Sequence, residues 1–402
     1  MSIIEQFDGQ LRCRGHAGTP DANAVLMAAD AALQAAGDFH RLFDVRLMLV
    51  RQKLGLPVTQ PTSLRDIPKA VEPEFRKAYA DTAREIGELF LKAGRLPDAW
   101  AYFRSIQEPE PVRQAIAAKI ESLEEASGPE VEELLNLALY DQAHVVAGLK
   151  LLLRMNGTCN TITAIGQLLS QMKPDERRQA AALMVRTIHT DLLANVRRDV
   201  ERRQPVLRPG STLRELVAGR ESLFEGGAYH IDVSHLHSTV SFARHLHADD
   251  AELPLAIDLC YYGTQLAEPL RYPADVPFDD YYTASLHFLT ALQGPSVNEG
   301  LQYFAARLRD EPDAADQRMI AFVLTDLASR VGRLAEVIEQ VAPHLAGMDD
   351  PNGFSFTACC VEAGRLDLLE SVARQKDDVL ALATAMLLKS PQSAPAHSGA
   401  AT

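Results

Sequence analysis

The helix-forming stretches of this chain are joined by short turns built on glycine, and turns that short leave the helices little choice but to pack back to back. "DANAVLMAADAALQAA" (Asp21 to Ala36) is followed by Gly37 and Asp38, then by "FHRLFDVRLMLVRQKL" (Phe39 to Leu54), which stops at Gly55 and Pro57. Thr19 suits the N-cap of the first helix and Pro20 its first turn, while Asp38 suits the N-cap of the second. Gly37 supplies the left-handed stop. Two helices joined this closely form an antiparallel hairpin. The tripeptide Gly-Arg-Leu marks three further turns of the same kind, at Gly94, Gly332 and Gly364.

The clearest hairpin spans residues 80–112, "ADTAREIGELFLKAGRLPDAWAYFRSIQEPEPV". Gly87 and Ala99 are small where two helices cross closely, with Phe90 and Phe103 filling the space on either side. Gly94 makes the turn, and Pro111 is expected to end the second helix. With Ala83, Ile86 and Ile106 in register, this segment resembles a tetratricopeptide repeat. Ala83 and Ile106 depart from that pattern, Ala83 standing where a bulky aromatic is usual. Weaker copies surround Gly332 and Gly364, whose spacing of 32 residues is close to the family's repeat of about 34. Another covers "LHFLTALQGPSVNEGLQYFAARLRDEP", with Phe304 and Pro312 spaced as Phe103 and Pro111 are, and a degenerate one surrounds Ala143.

No strand pattern is persuasive, so the chain is read as all-α. The expectation is a right-handed, tetratricopeptide-like solenoid of stacked antiparallel helix hairpins, each burying its face against its neighbours. A long amphipathic helix with Leu183, Ile188, Leu192 and Val196 on its apolar side runs up to "RQPVLRPGST" (Arg203 to Thr212), where Pro205 and Pro209 forbid regular helix. The expected organisation is a lead over 1–18, helical halves over 19–204 and 205–389, and a disordered tail over 390–402.

The resemblance implies an interaction module rather than an enzyme. Its first helices would line a concave groove for a peptide or partner protein. Carried over position by position, the groove residues are Asp81, Arg84, Glu88 and Lys92 in the clearest unit, then Phe322, Asp326 and Arg330, then Phe354 and Glu362. Arg84–Glu88 and Glu88–Lys92 are also spaced as i,i+4 charge pairs on a solvated face. A mixed groove with an acidic excess would suit a basic or amphipathic segment.

"YHIDVSHLHSTVSFARHLHADD" (Tyr229 to Asp250) gathers five of the twelve histidines and raises a rival reading, a helical metal-binding protein or hydrolase. Zinc needs convergent ligands. On a helix His235 and His237 diverge by about 200°, so a metal site would need His230, Asp232 and His235 to curl together. Val233, Leu236, Val240, Ala243 and Leu246 recur at helical intervals, which favours a helix capped by Asp232 with a polar histidine face. His237, Ser241 and His245 fall on its polar stripe. Asp275, Asp279 and Asp280 beside Tyr281 and Tyr282 read as a helix opening rather than an acid–base pair. A structural subunit of an assembly is a third reading.

The formal charge of −14 disfavours phosphate backbones, although Arg197, Arg198, Arg202 and Arg203 form a local basic cluster. Phosphate-binding glycine loops, an H-E-x-x-H pair and a G-x-S-x-G elbow are all missing from the sequence, so no cofactor is expected. The five cysteines are odd in number and widely spaced, which suits reduced thiols. No apolar run approaches the ~20 residues of a membrane span, and the first residues lack the apolar core of a secretory signal. A cytoplasmic protein is expected.

Overall fold

The computed structural model describes residues 2–13, 21–65, 67–203, 210–349 and 353–390. Thr19 and Pro20, residues 204–209 of the proline-bearing segment, and residues 391–402 of the tail lie outside them. Among the described residues all regular structure is helical, apart from an isolated antiparallel bridge between Asp349 and Ser355.

Two compact units divide the chain, Met1–Gly157 and Thr158–Thr402. The first holds α1 (Ile3–Cys13), α2 (Ala22–Ala36), α3 (Phe39–Lys53), α4 (Glu72–Lys92), α5 (Leu96–Ser105), α6 (Glu110–Glu121) and α7 (Pro129–Leu135). Helix α8 (Val145–Leu168) is interrupted at Gly157, whose φ of 76° and ψ of −174° are open to glycine alone. The units part there. This differs from the division expected at Pro205–Pro209, because the helices on both sides of that segment belong to the second unit and pack together.

The second unit holds α9 (Pro174–Arg203), α10 (Leu213–Val217), α11 (Val233–Ala243), α12 (Leu253–Gln265), α13 (Tyr281–Gln293), α14 (Val297–Asp310), α15 (Ala314–Arg330), α16 (Leu334–Leu345), α17 (Phe356–Glu362), α18 (Leu366–Lys376) and α19 (Val379–Lys389). In both units most helices pack against the next helix along the chain. The long α9 is different: α10, α11 and α12 all pack on it. Its buried column is Met184, Ile188, Leu192, Val196 and Val200, with Leu183 only half-buried.

The Gly-Arg-Leu turns share one backbone pattern. Gly94, Gly332 and Gly364 have φ of 73°, 68° and 67°. Each glycine N–H donates to the carbonyl three residues back, at 3.0, 3.0 and 3.1 Å. The following arginine N–H donates to the carbonyl five back, at 2.9, 2.7 and 2.8 Å, which closes the turn on the helix's free carbonyls. The arginine side chain then reaches a carboxylate in the first turn of the next helix: Arg95 to Asp98, Arg333 to Glu336 and Arg365 to Asp367. Gly37 and Asp38 make the same pair of backbone bonds between α2 and α3.

The crossing of α4 and α5 follows the expected register. Ala83, Ile86, Phe90, Ala99 and Phe103 have no exposed surface. A methyl group added at Gly87 would stand 2.6 Å from the Phe103 ring, so only glycine admits this crossing. Pro111 acts differently from expectation. Helix α5 already ends at Ser105, Gln107 turns the chain with φ of 60°, and Pro111 lies in the first turn of α6. A proline there lacks only an N–H that no helical carbonyl would have accepted.

Candidate functional site

Five of the proposed groove residues meet at one place in the second unit. Phe322, Asp326 and Arg330 recur every four residues along one stripe of α15. Phe354 precedes α17 and Glu362 ends it. All five line a cleft of about 650 Å³. The Phe322 and Phe354 rings meet edge to face at 4.7 Å, and both are half-buried. Ser329 donates to Glu362 at 2.6 Å, which ties α15 to α17.

Further lining residues come from outside the glycine-turn hairpins. Arg177 projects from α9, Arg244 and His245 follow α11, Phe278 precedes α13 and Phe288 lies within it. Arg330 donates to the carbonyls of Arg244 and Leu246 and to Asp326 at 3.2 Å, so it clasps the end of α11. Arg244 donates to the carbonyl and hydroxyl of Ser241, while its guanidinium lies 4.0 Å from the centre of the Phe278 ring. Arg330 stacks on Phe288 at 5.4 Å. Three guanidiniums therefore face the carboxylates of Asp326 and Glu362, an excess of one cation. The acidic excess expected of the groove is not what lines this cleft, because Arg177 and Arg244 come from elements the repeat register does not reach.

Burial pushes the Arg244 guanidinium below its ordinary pKa. His245 is also held below the ordinary histidine value, first by burial and then by Arg177, Arg244 and Arg330. Burial pushes the Cys359 thiol up to about 11, so it is a thiol and not a thiolate at neutral pH. What the cleft offers is an aromatic wall beside fixed positive charge, an arrangement suited to binding.

The groove residues of the first unit are arranged otherwise. Arg84 donates to both carboxylate oxygens of Glu108, at 2.8 and 2.7 Å, and to Asp81 at 2.8 Å. The expected Arg84–Glu88 pair is not formed, since Glu108, in the turn after α5, offers a two-pronged partner. Glu88 and Lys92 are exposed.

The histidine stretch folds as a capped helix. The Asp232 carboxylate accepts from the N–H groups of Ser234 at 2.8 Å and His235 at 3.4 Å, at the start of α11. His230 points elsewhere: its Nδ1 lies 3.0 Å from the Tyr262 hydroxyl and its Nε2 lies 3.3 Å from Asp199. With both ring nitrogens engaged and Asp232 committed as a cap, His230, Asp232 and His235 do not form a ligand set. Among the described residues no three His, Cys, Asp or Glu side chains gather as a metal site. His237 stacks on Tyr281 with ring centres 3.9 Å apart, and Tyr281 donates to the His237 carbonyl at 2.5 Å. Asp279 pairs with Arg307, and Asp280 stands at the N-cap of α13 without a side-chain bond.

The basic cluster on α9 is partly tied down. Arg197 donates to the Ser211 carbonyl, Arg203 to the Ser222 carbonyl and Asp199, and Arg198 to Asn195. Among the described residues no helix is long and apolar enough to cross a membrane. No family model matches the chain, and no curated protein or solved structure matches it.

Proposed function

We propose that this chain is a non-catalytic interaction scaffold, a tetratricopeptide-like array of helix hairpins that holds a peptide or a segment of a partner protein. The observation that carries the reading is the convergence of Phe322, Asp326, Arg330, Phe354 and Glu362 on one cleft. Repeat register assigns all five to the groove side of two successive hairpins, and their meeting in one cleft supports a family-like stacking of those hairpins. The repeated Gly-Arg-Leu turn supports the same reading. The test is quantitative capture of partners by the wild-type chain and by Phe322→Ala/Phe354→Ala. A partner retained by the wild type and lost from the double variant supports the scaffold. Partners retained equally by both would remove the cleft as the binding surface.

One observation favours a second reading, a subunit of an assembly. Helix α19 buries Ala381 and Ala385 but leaves Val379 73%, Leu380 80% and Met386 56% exposed. Sedimentation velocity over a wide concentration range separates the two readings: a monomer throughout removes self-assembly.

A further inference from the structure

Three guanidiniums and a histidine crowd one end of the cleft, and the acceptors they have found are mostly uncharged. Arg177 donates to the Met172 and Ser170 carbonyls at 3.0 and 3.4 Å. Arg244 donates to the carbonyl and hydroxyl of Ser241 at 3.3 and 2.8 Å. Neutral acceptors satisfy N–H groups without cancelling charge. Arg330 has Asp326, yet it also spends two donors on backbone carbonyls. The charged groups acting on His245 are those same three arginines and Asp326.

The other end is aromatic. Phe322 and Phe354 form its wall, whereas the Phe278 and Phe288 rings lie beneath guanidiniums. Phe322 and Arg330 are eight residues apart on one stripe of α15, which places their backbones about 12 Å apart at 1.5 Å per residue. An extended peptide covers that distance in about three to four residues.

We infer that the cleft recognises an acidic peptide, an extended segment whose carboxylate side chain is held by Arg177, Arg244 and Arg330 while a large apolar side chain three or four positions away packs on Phe322 and Phe354. The inference deepens the scaffold reading and rests on it. Charge complementarity selects this occupant over a basic one. The chain carries −14 overall, so a basic segment could settle at many places on it, but this cleft concentrates the opposite sign. A small free acid would reach one end only.

Binding would draw a proton onto His245. Burial and three cations hold its pKa low in the free protein, and an arriving carboxylate raises it. Affinity is therefore highest below the free-protein pKa and falls as pH rises through the pKa of the complex.

Selection of a random dodecapeptide phage library on the full chain tests this, followed by fluorescence anisotropy with the enriched peptides. The expected consensus places Asp or Glu three or four positions from Phe, Trp, Leu or Met. Arg177→Gln should weaken the enriched peptide by at least about tenfold, and added salt should weaken it further. Wild-type affinity should be higher at acidic than at neutral pH, and His245→Gln should flatten that profile. Phe322→Ala, which leaves every charge in place, provides a second readout if Arg177→Gln proves unstable. A consensus rich in Lys or Arg that still depends on Phe322 overturns the acidic assignment and leaves the scaffold standing. An absence of any enriched peptide removes both. Competition by free 3-phenylpropanoate as strong as by the peptide would reassign the cleft to a small acid.

Discussion

Single residues decide how closely the helices approach. Gly87 faces the Phe103 ring at a distance that excludes even a methyl group, and that ring is fully buried with nowhere to retreat. Gly87→Ala is expected to cost about 1–3 kcal/mol by overpacking, measured by urea unfolding. Gly166, on the exposed side of α8, meets nothing within 4 Å and has helical backbone. Gly166→Ala should therefore stabilise, by about 0.5–1 kcal/mol. Opposite signs from one substitution would separate close approach from backbone freedom, and equal signs would discredit the crossing. Gly87 was legible in the sequence because the pattern of small and large residues repeats along a helix. The partner of Arg84 was not, since sequence spacing reveals neighbours on one helix while Glu108 arrives from 24 residues away. The Arg84 guanidinium holds the Glu108 carboxyl below the usual carboxylate range, chiefly by hydrogen bonding. A carbon-detected NMR titration should show Glu108 titrating low in the wild type and returning to the ordinary glutamate value in Arg84→Gln. An unchanged titration would break the pair.

At the level of the element, caps and turns mattered more than helix interiors. Asp232 opens α11 through two N–H groups, so Asp232→Ala should cost about 1 kcal/mol and Asp232→Asn much less. Equal losses from the two variants would argue that the carboxylate charge, and not the cap, is what matters. The same helix carries His237, which stacks on Tyr281 and is held below the ordinary value of 6.5 by burial and then by Arg244. A histidine of lowered pKa is neutral in the fold while the unfolded chain binds a proton. Its stabilising share is thus full above pH 6.5 and is lost as pH falls toward the folded-state value. Melting temperature should drop between pH 7 and pH 5, and less steeply in His237→Gln. The cap was legible because aspartate before an apolar run is a local signal. The stack was not, because Tyr281 sits on another helix. The same distinction applies to the division of the chain: a proline pair is a local signal, but the packing of α10, α11 and α12 on α9 is what joins these helices in one unit.

For the whole molecule, charge sets what can approach, and its sign differs from the sign inside the cleft. With 54 acidic residues against 40 Lys and Arg, the long-range field repels polyanions. A polyanion makes many contacts with the surface, so it feels the net charge. A single carboxylate seated in the cleft feels mainly the guanidiniums within a Debye length, about 8 Å at physiological salt. The sequence made the global sign legible at once, but it left the local sign hidden until Arg177 and Arg244 were brought beside α15. Duplex DNA is the probe that separates these scales. The exposed Arg198, Arg202 and Arg203 of α9 are competing cations, around an open hollow of about 620 Å³ that Asp199 and Asp232 also line. Those carboxylates and the overall charge should defeat them. A gel-shift titration at about 0.15 M salt should therefore show no retardation of a duplex at micromolar protein. Retardation that disappears in Arg198→Gln/Arg202→Gln would show that the local cluster outweighs the whole-chain charge and would make α9 an anion-binding face in its own right.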